Sequence, residues 1–156
     1  MLKKPFCILL IISVFLLGTS LAQEASKPRL VGNFTRKGLG DGCGCYFRFR
    51  GAGRDSEQYI FAEPVDDEKI AWMNIGGRNV RLKLVKEQSA GDRERVGSRW
   101  TRTFVSNDIT VTSTYVATRV CAPEDESCES TDYTATFVVR KGKLAQTVKA
   151  LGYCGC

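Results

Sequence analysis

The sequence predicts an all-β fold, a single antiparallel barrel of about eight short strands stapled by disulfides, although a two-sheet sandwich satisfies the same pattern. Three observations predict it. From Cys43 onward, short runs rich in Val, Thr, Tyr and Phe alternate with clusters of Gly, Asn and Asp, the punctuation of strands and turns. No stretch long enough for a core helix carries apolar residues at helical spacing. Six of the seven cysteines fall in tight pairs, Cys43 with Cys45, Cys121 with Cys128 and Cys154 with Cys156. An even count of this kind marks the disulfide framework of a small exported domain.

Export is read from the start of the chain. Residues 1–22 open with Lys3 and Lys4, continue through an apolar run from Phe6 to Leu17, and end in small residues up to Ala22. This is the layout of a secretory signal peptide, cleaved near Ala22. The apolar run is about a dozen residues where a membrane-crossing helix needs about 20, so no permanent membrane span is expected. Cys7 lies too early to carry a lipid. Residues 23–41 then read as an N-terminal tail and residues 42–156 as one β domain, placed in the periplasm or the extracellular space.

Charge and composition exclude several kinds of chemistry. Cleavage would take two lysines from a net charge of +6, leaving +4 spread along the chain. No basic face with interleaved aromatics announces itself, so nucleic acid is not an expected partner. The chain has no histidine, which removes Ser-His and Cys-His nucleophiles and His-ligated zinc. No cofactor or catalytic residue is singled out.

The cysteines restrict one another. Residues two apart on a strand point the same way, so bonding within a C-G-C motif has poor geometry. Cys121 and Cys128 flank the polar turn Ala-Pro-Glu-Asp-Glu-Ser and are expected to bridge the neck of a hairpin. The four others then pair the first C-G-C with the last, and which of Cys43 and Cys45 meets which of Cys154 and Cys156 stays open. The alternative is a four-thiolate site for zinc or cuprous copper. An oxidising compartment favours disulfides.

Strands are expected over residues 45–50, 58–62, 70–75, 79–86, 99–106 and 109–121, with a last hairpin over 131–151. Gly76-Gly77 reads as a two-residue turn. It pairs Ile75 with Arg78 and sends Met73, Val80, Ala71 and Leu82 to the core, with Trp72 opposite Arg81 on the outer side, where a guanidinium over the indole is expected. The last hairpin, turning at Lys141-Gly142 with Arg140 opposite Lys143, puts Tyr133, Ala135, Phe137, Val139, Leu144, Val148 and Ala150 on one face. Gln146 is its sole polar member. In 109–121 the apolar residues switch parity between Ile109-Val111 and Val116-Val120, which predicts a bulge or a bend there.

Function is read from three stretches. Residues 86–95 are expected to form a long loop, where binding tends to reside. Glu124, Asp125, Glu126 and Glu129 lack the spacing of a calcium loop. Trp72, Arg81, Arg99, Trp100 and Arg102 form the candidate binding surface, because Trp and Arg are enriched at binding hot spots. The leading expectation is a non-catalytic exported module that recognises a protein or envelope component. A competing expectation is a hydrolase of polysaccharide using two of Asp41, Glu63, Asp66 and Asp67, all at expected turns.

Met73-Asn74-Ile75-Gly76-Gly77-Arg78-Asn79-Val80-Arg81-Leu82, followed by Ser89-Ala90-Gly91, is similar to the central hairpin and loop of exported β-barrels that inhibit c-type lysozyme. The chain lacks one serine of that loop, and the paired C-G-C motifs are not part of that family's pattern. The resemblance implies an eight-stranded barrel and an inhibitory function, and assigns no binding residue.

Overall fold

Alternating side chains make strands with one dry face, and a barrel buries that face without leaving a sheet edge. The structure, a computed structural model, describes residues 29–37, 39, 42–53, 56–90, 95–125 and 127–156. The expected signal peptide lies outside these residues. In chain order the strands are β1 (Val31–Gly32), β2 (Phe34–Thr35), β3 (Gly44–Phe49), β4 (Gln58–Tyr59), β5 (Phe61–Pro64) and β6 (Ile70–Ile75), then β7 (Arg78–Ala90), β8 (Arg99–Ser106), β9 (Ile109–Arg119), β10 (Ser130–Lys141) and β11 (Leu144–Gly155). Eight of them, β3 and β5 to β11, run antiparallel in sequence around a closed barrel, with β11 returning to pair with β3. This is the barrel and not the sandwich.

The interior is filled by aromatic rings. Phe47, Phe61, Phe104, Tyr115 and Phe137 are fully buried and meet with centroids 5.0 Å apart for Phe47 and Tyr115 and 4.7 Å for Phe61 and Phe137. The Gly76-Gly77 hairpin has the expected register throughout, from Ile75 opposite Arg78 to Ile70 opposite Lys83. Both glycines hold positive φ, as the hairpin-favoured turn requires.

The last hairpin is shifted by two residues from the expected register. Lys141 faces Leu144, not Arg140 facing Lys143, and the turn is Gly142-Lys143. Gly142, at φ 53°, takes the first turn position, where positive φ is required. A two-residue slip preserves the faces, so the expected inner set is inside except Leu144, which is 58% exposed at the turn. In β9 the inward parity holds from Ile109 to Ala117, with Ser113 and Tyr115 inside. The bulge is at Thr118, where the register against Asp132 and Tyr133 breaks, and not before Val116.

The segment expected as a tail is, from Arg29, part of the folded domain. β1 lies beside Ile75 and Asn74 of β6, and Leu30 and Val31 join the core. Their backbone N–H groups donate to Gln146 Oε1 at 2.7 and 3.1 Å. The one polar residue of the inner face of β11 thus satisfies the strand that covers one end of the barrel.

The opposite end is stapled. Cys45 is directly opposite Cys154 and bonded to it, and Cys43 bonds Cys156. Cys121 bonds Cys128. Between the rungs, Gly44 and Gly155 sit at φ 138° and 145°. A Cβ there would lie 2.3 Å from the Glu63 carbonyl oxygen and 2.1 Å from that of Glu129. C-G-C therefore admits only glycine at its centre.

The two rungs are redundant cross-links. In the chain-entropy model one of them closes a loop of 113 or 109 residues, worth about 5 kcal/mol, and the second then closes a small ring worth about 2 kcal/mol. Urea denaturation of Cys43→Ala/Cys156→Ala or Cys45→Ala/Cys154→Ala should show a loss of about 2 kcal/mol each, and the quadruple variant about 7 kcal/mol. Losses that simply add would contradict this redundancy.

Candidate functional site

Two arrangements of polar side chains stand out, one inside the barrel and one on its outer wall. On β8 the even positions point inward, so Trp100, Arg102 and Phe104 share the dry face. A guanidinium on that face needs a buried acid, because an unpaired buried charge is costly. Glu63 of β5, 4% exposed, supplies it and pairs with Arg102 Nη1. The Tyr115 hydroxyl donates to the other Glu63 oxygen, and Arg102 Nη2 reaches Glu87 Oε2 of β7 at 3.1 Å. β5 is thereby tied across the interior to β7, β8 and β9. Arg102 Nε is the one buried side-chain polar atom without a partner among the described residues. Burial first, and then the Glu63 charge and hydrogen bond, push the Tyr115 hydroxyl well above its ordinary value.

The outer arrangement is a groove of about 600 Å³ beside the stapled end, lined by Arg48, Thr118, Arg119, Asp132, Leu151 and Tyr153 among others. Arg119 is held in place, with Nε to Asp132 Oδ2 at 2.8 Å and Nη2 to the Ser130 carbonyl at 3.2 Å. Its Nη1 lies 3.2 Å from Cys128 Sγ, and Cys156 is among the lining residues. The Cys121–Cys128 and Cys43–Cys156 disulfides therefore both lie near the groove. Two shallower hollows lie on the same outer wall, one at Arg50, Thr134, Thr136 and Lys149 and one at Thr110, Thr112, Val138 and Arg140.

No family model, curated protein or solved structure matches the chain.

The expected surface of Trp72, Arg81, Arg99, Trp100 and Arg102 does not exist as one surface. Trp100, 6% exposed, is inside the barrel, packed on Tyr115 and Tyr133 with centroids 5.2 and 4.7 Å away. Arg102 is inside for the same reason of parity. Trp72 is opposite Arg81 as expected, but its indole packs into a second apolar cluster with Phe34, Tyr46, Tyr59 and Ala62. Arg81 turns to Asp67 at 3.4 Å. The cation–π contacts among the described residues are instead Arg29 over Phe49 and Arg36 over Tyr46. Arg99 is exposed on the outer wall.

Other expectations change as well. Residues 86–90 continue β7, while 91–94 and Gly91 with them lie outside the described residues, as do Asp41 and Glu126. Glu63 is not at a turn but inside the barrel, and Asp66 and Asp67 form an exposed 3-10 turn. The four sulfurs of the C-G-C motifs are all in disulfides, so the thiolate metal site gives way. The Glu63–Arg102–Tyr115 cluster had a signal in the sequence: Arg102 shares parity with Trp100 and Phe104, and Glu63 with Phe61.

Removing one partner of this cluster should cost far more than removing both. Arg102→Met or Glu63→Gln alone should lower stability by about 3 to 5 kcal/mol, and the double change to two apolar residues, Arg102→Met/Glu63→Leu, should recover most of it. Tyr115→Phe removes a hydroxyl whose proton the folded state holds more tightly than the unfolded chain. Stability is full below pH about 10 and should fall as alkali ionises the tyrosine of the unfolded chain first. Urea midpoints between pH 8 and pH 11 should fall less steeply in Tyr115→Phe, and equal slopes would refute the assignment.

Proposed function

We propose that the protein is an exported, non-catalytic binding module of the periplasm or extracellular space, acting through the outer wall of a covalently locked barrel. The observation that carries this reading is where the concavity is. The interior is filled by a cluster of aromatic and aliphatic side chains around the Glu63–Arg102 pair, while the groove at Arg48, Arg119, Leu151 and Tyr153 lies outside, beside the stapled end. Binding energy is lost to the ordering of side chains and loops, and a wall held by cross-linked strands and a fixed Arg119 reduces that loss. Three disulfides fit an oxidising compartment. Among the described residues no helix is long and apolar enough to cross a membrane.

The carboxylate-hydrolase reading has less support. Two acids must face a bound sugar across a defined gap, whereas Glu63 faces Arg102 and Tyr115 within the packed barrel.

Residues 23–156, with disulfides intact, should be retained saturably by one fraction of envelope or extracellular material separated into polysaccharide, lipid and protein. Polymer lengths in that fraction, followed by size-exclusion chromatography, should stay constant. Leu151→Glu, an exposed change within the groove, should weaken retention by about tenfold, the scale of one well-placed contact. Shortening of any polymer would move the reading to an enzyme. Stoichiometric loss of lytic activity by c-type lysozyme in a parallel assay would select the inhibitor.

A further inference from the structure

Cationic residues that are scattered in the sequence are gathered by the strand register onto one wall. The outward positions of β8, β9, β10 and β11 form rows across the sheet. One row runs Arg99, Val116, Thr134, Leu151 and Arg48, and the next runs Thr101, Thr114, Thr136 and Lys149. The next two run Thr103, Thr112, Val138 and Thr147, and then Val105, Thr110, Arg140 and Ala145. Arg50 borders the same hollow as Lys149. Asp132 is the one acid among the outward positions of these four strands, and Arg119 already occupies it. Other acids stand at the two ends, Asp108 in the β8–β9 turn and Glu124, Asp125 and Glu129 about the Cys121–Cys128 loop.

We propose that this wall, centred on Arg50, Lys149 and Arg140, is a docking surface for an extended anionic polysaccharide, an inference that rests on the binding-module reading above. The charge pattern supplies the complement. Along β10 the outward positions Thr134, Thr136, Val138 and Arg140 follow the Arg119-paired Asp132 over about 27 Å at about 3.4 Å per residue, with Lys149 and Arg50 beside them, and the terminal acids bound the track. The threonine hydroxyls both donate and accept, which suits sugar hydroxyls between carboxylate or sulfate groups met by arginine and lysine. Single-stranded nucleic acid needs exposed aromatic platforms for its bases, and Trp100 and Trp72 are withdrawn into the two apolar clusters. An anionic membrane is met by an apolar stripe beside the basic one, and on these rows Leu151 is the only large aliphatic residue more than a third exposed.

The test is a titration of the disulfide-intact mature protein with polygalacturonate, dextran sulfate, neutral dextran, a single-stranded oligonucleotide and anionic phospholipid vesicles. Both acidic polysaccharides should bind and neutral dextran should not. The exposed triple change Arg50→Ala/Lys149→Ala/Arg140→Ala should weaken binding by about tenfold or more and lower the slope of log affinity on log salt by about 2 to 3. The control Lys37→Ala/Lys69→Ala/Arg78→Ala removes the same charge from exposed positions off these rows and should leave affinity within about twofold, since screened charges elsewhere contribute little. Equal loss in the two triples overturns the surface. Tighter binding to the oligonucleotide or the vesicles than to either acidic polysaccharide overturns the ligand class. Retention of another envelope fraction by a protein that ignores every polyanion overturns this inference and leaves the binding module standing.

Discussion

The pairing of β3 with β11 is the constraint on which the remaining structure depends. In a meander each strand finds its neighbour through a local turn, but the first and last strands meet only after the whole chain is in place, and loop closure opposes that pairing most. Cys45–Cys154 and Cys43–Cys156 make this contact covalent. With the seam fixed, the barrel has no free edge, and the aromatic interior can be sealed without a helix to cover it. Gly44 and Gly155 show how tightly the seam is drawn, since neighbouring carbonyls occupy the space a side chain would take.

A charged group inside such a barrel looks wasteful, because a buried ion pair seldom stabilises more than apolar residues of the same volume. Its position suggests what it does accomplish. Glu63, Arg102, Tyr115 and Glu87 belong to β5, β8, β9 and β7, which the meander brings together only by curving. An apolar interior tolerates slippage by two residues, since the faces are preserved. A hydroxyl and a guanidinium that must both meet one carboxylate do not tolerate it, so the cluster specifies register where hydrophobicity alone leaves it degenerate.

That degeneracy explains what was legible in the sequence. The all-β class, the count of about eight strands, the Cys121–Cys128 bridge, the joining of the two C-G-C motifs and the inner set of the last hairpin apart from Leu144 follow from parity and cysteine spacing, whereas closure into a barrel rests on the β3–β11 pairing, which parity does not choose. The two-residue slip at Lys141 and the misplaced bulge in β9 come from features that parity cannot distinguish. The burial of Trp100 and Arg102 was legible in principle, since Phe104 fixes the face, but charge and indole are read as surface until Glu63 is known to wait on the other side. The role of Gln146 could not be read at all, because its partners are backbone groups of Leu30 and Val31 more than a hundred residues earlier.

The outer wall depends on the same alternation that fills the core. Each inward Phe, Tyr or Val on β9 to β11 forces its neighbour outward, and the outward positions are free to be chosen for something other than folding. Threonine suits them on propensity alone, as a β-branched residue that accepts solvent. Propensity does not ask for arginine or lysine at Arg50, Lys149 and Arg140 with no acid paired to them among the described residues, since cross-strand opposite charges stabilise a sheet and like charges do not. Arg81 on β7, by contrast, has Asp67. These like charges are thus a cost to the fold, and a cost carried on the outside of a locked scaffold points to a partner that brings the missing charge.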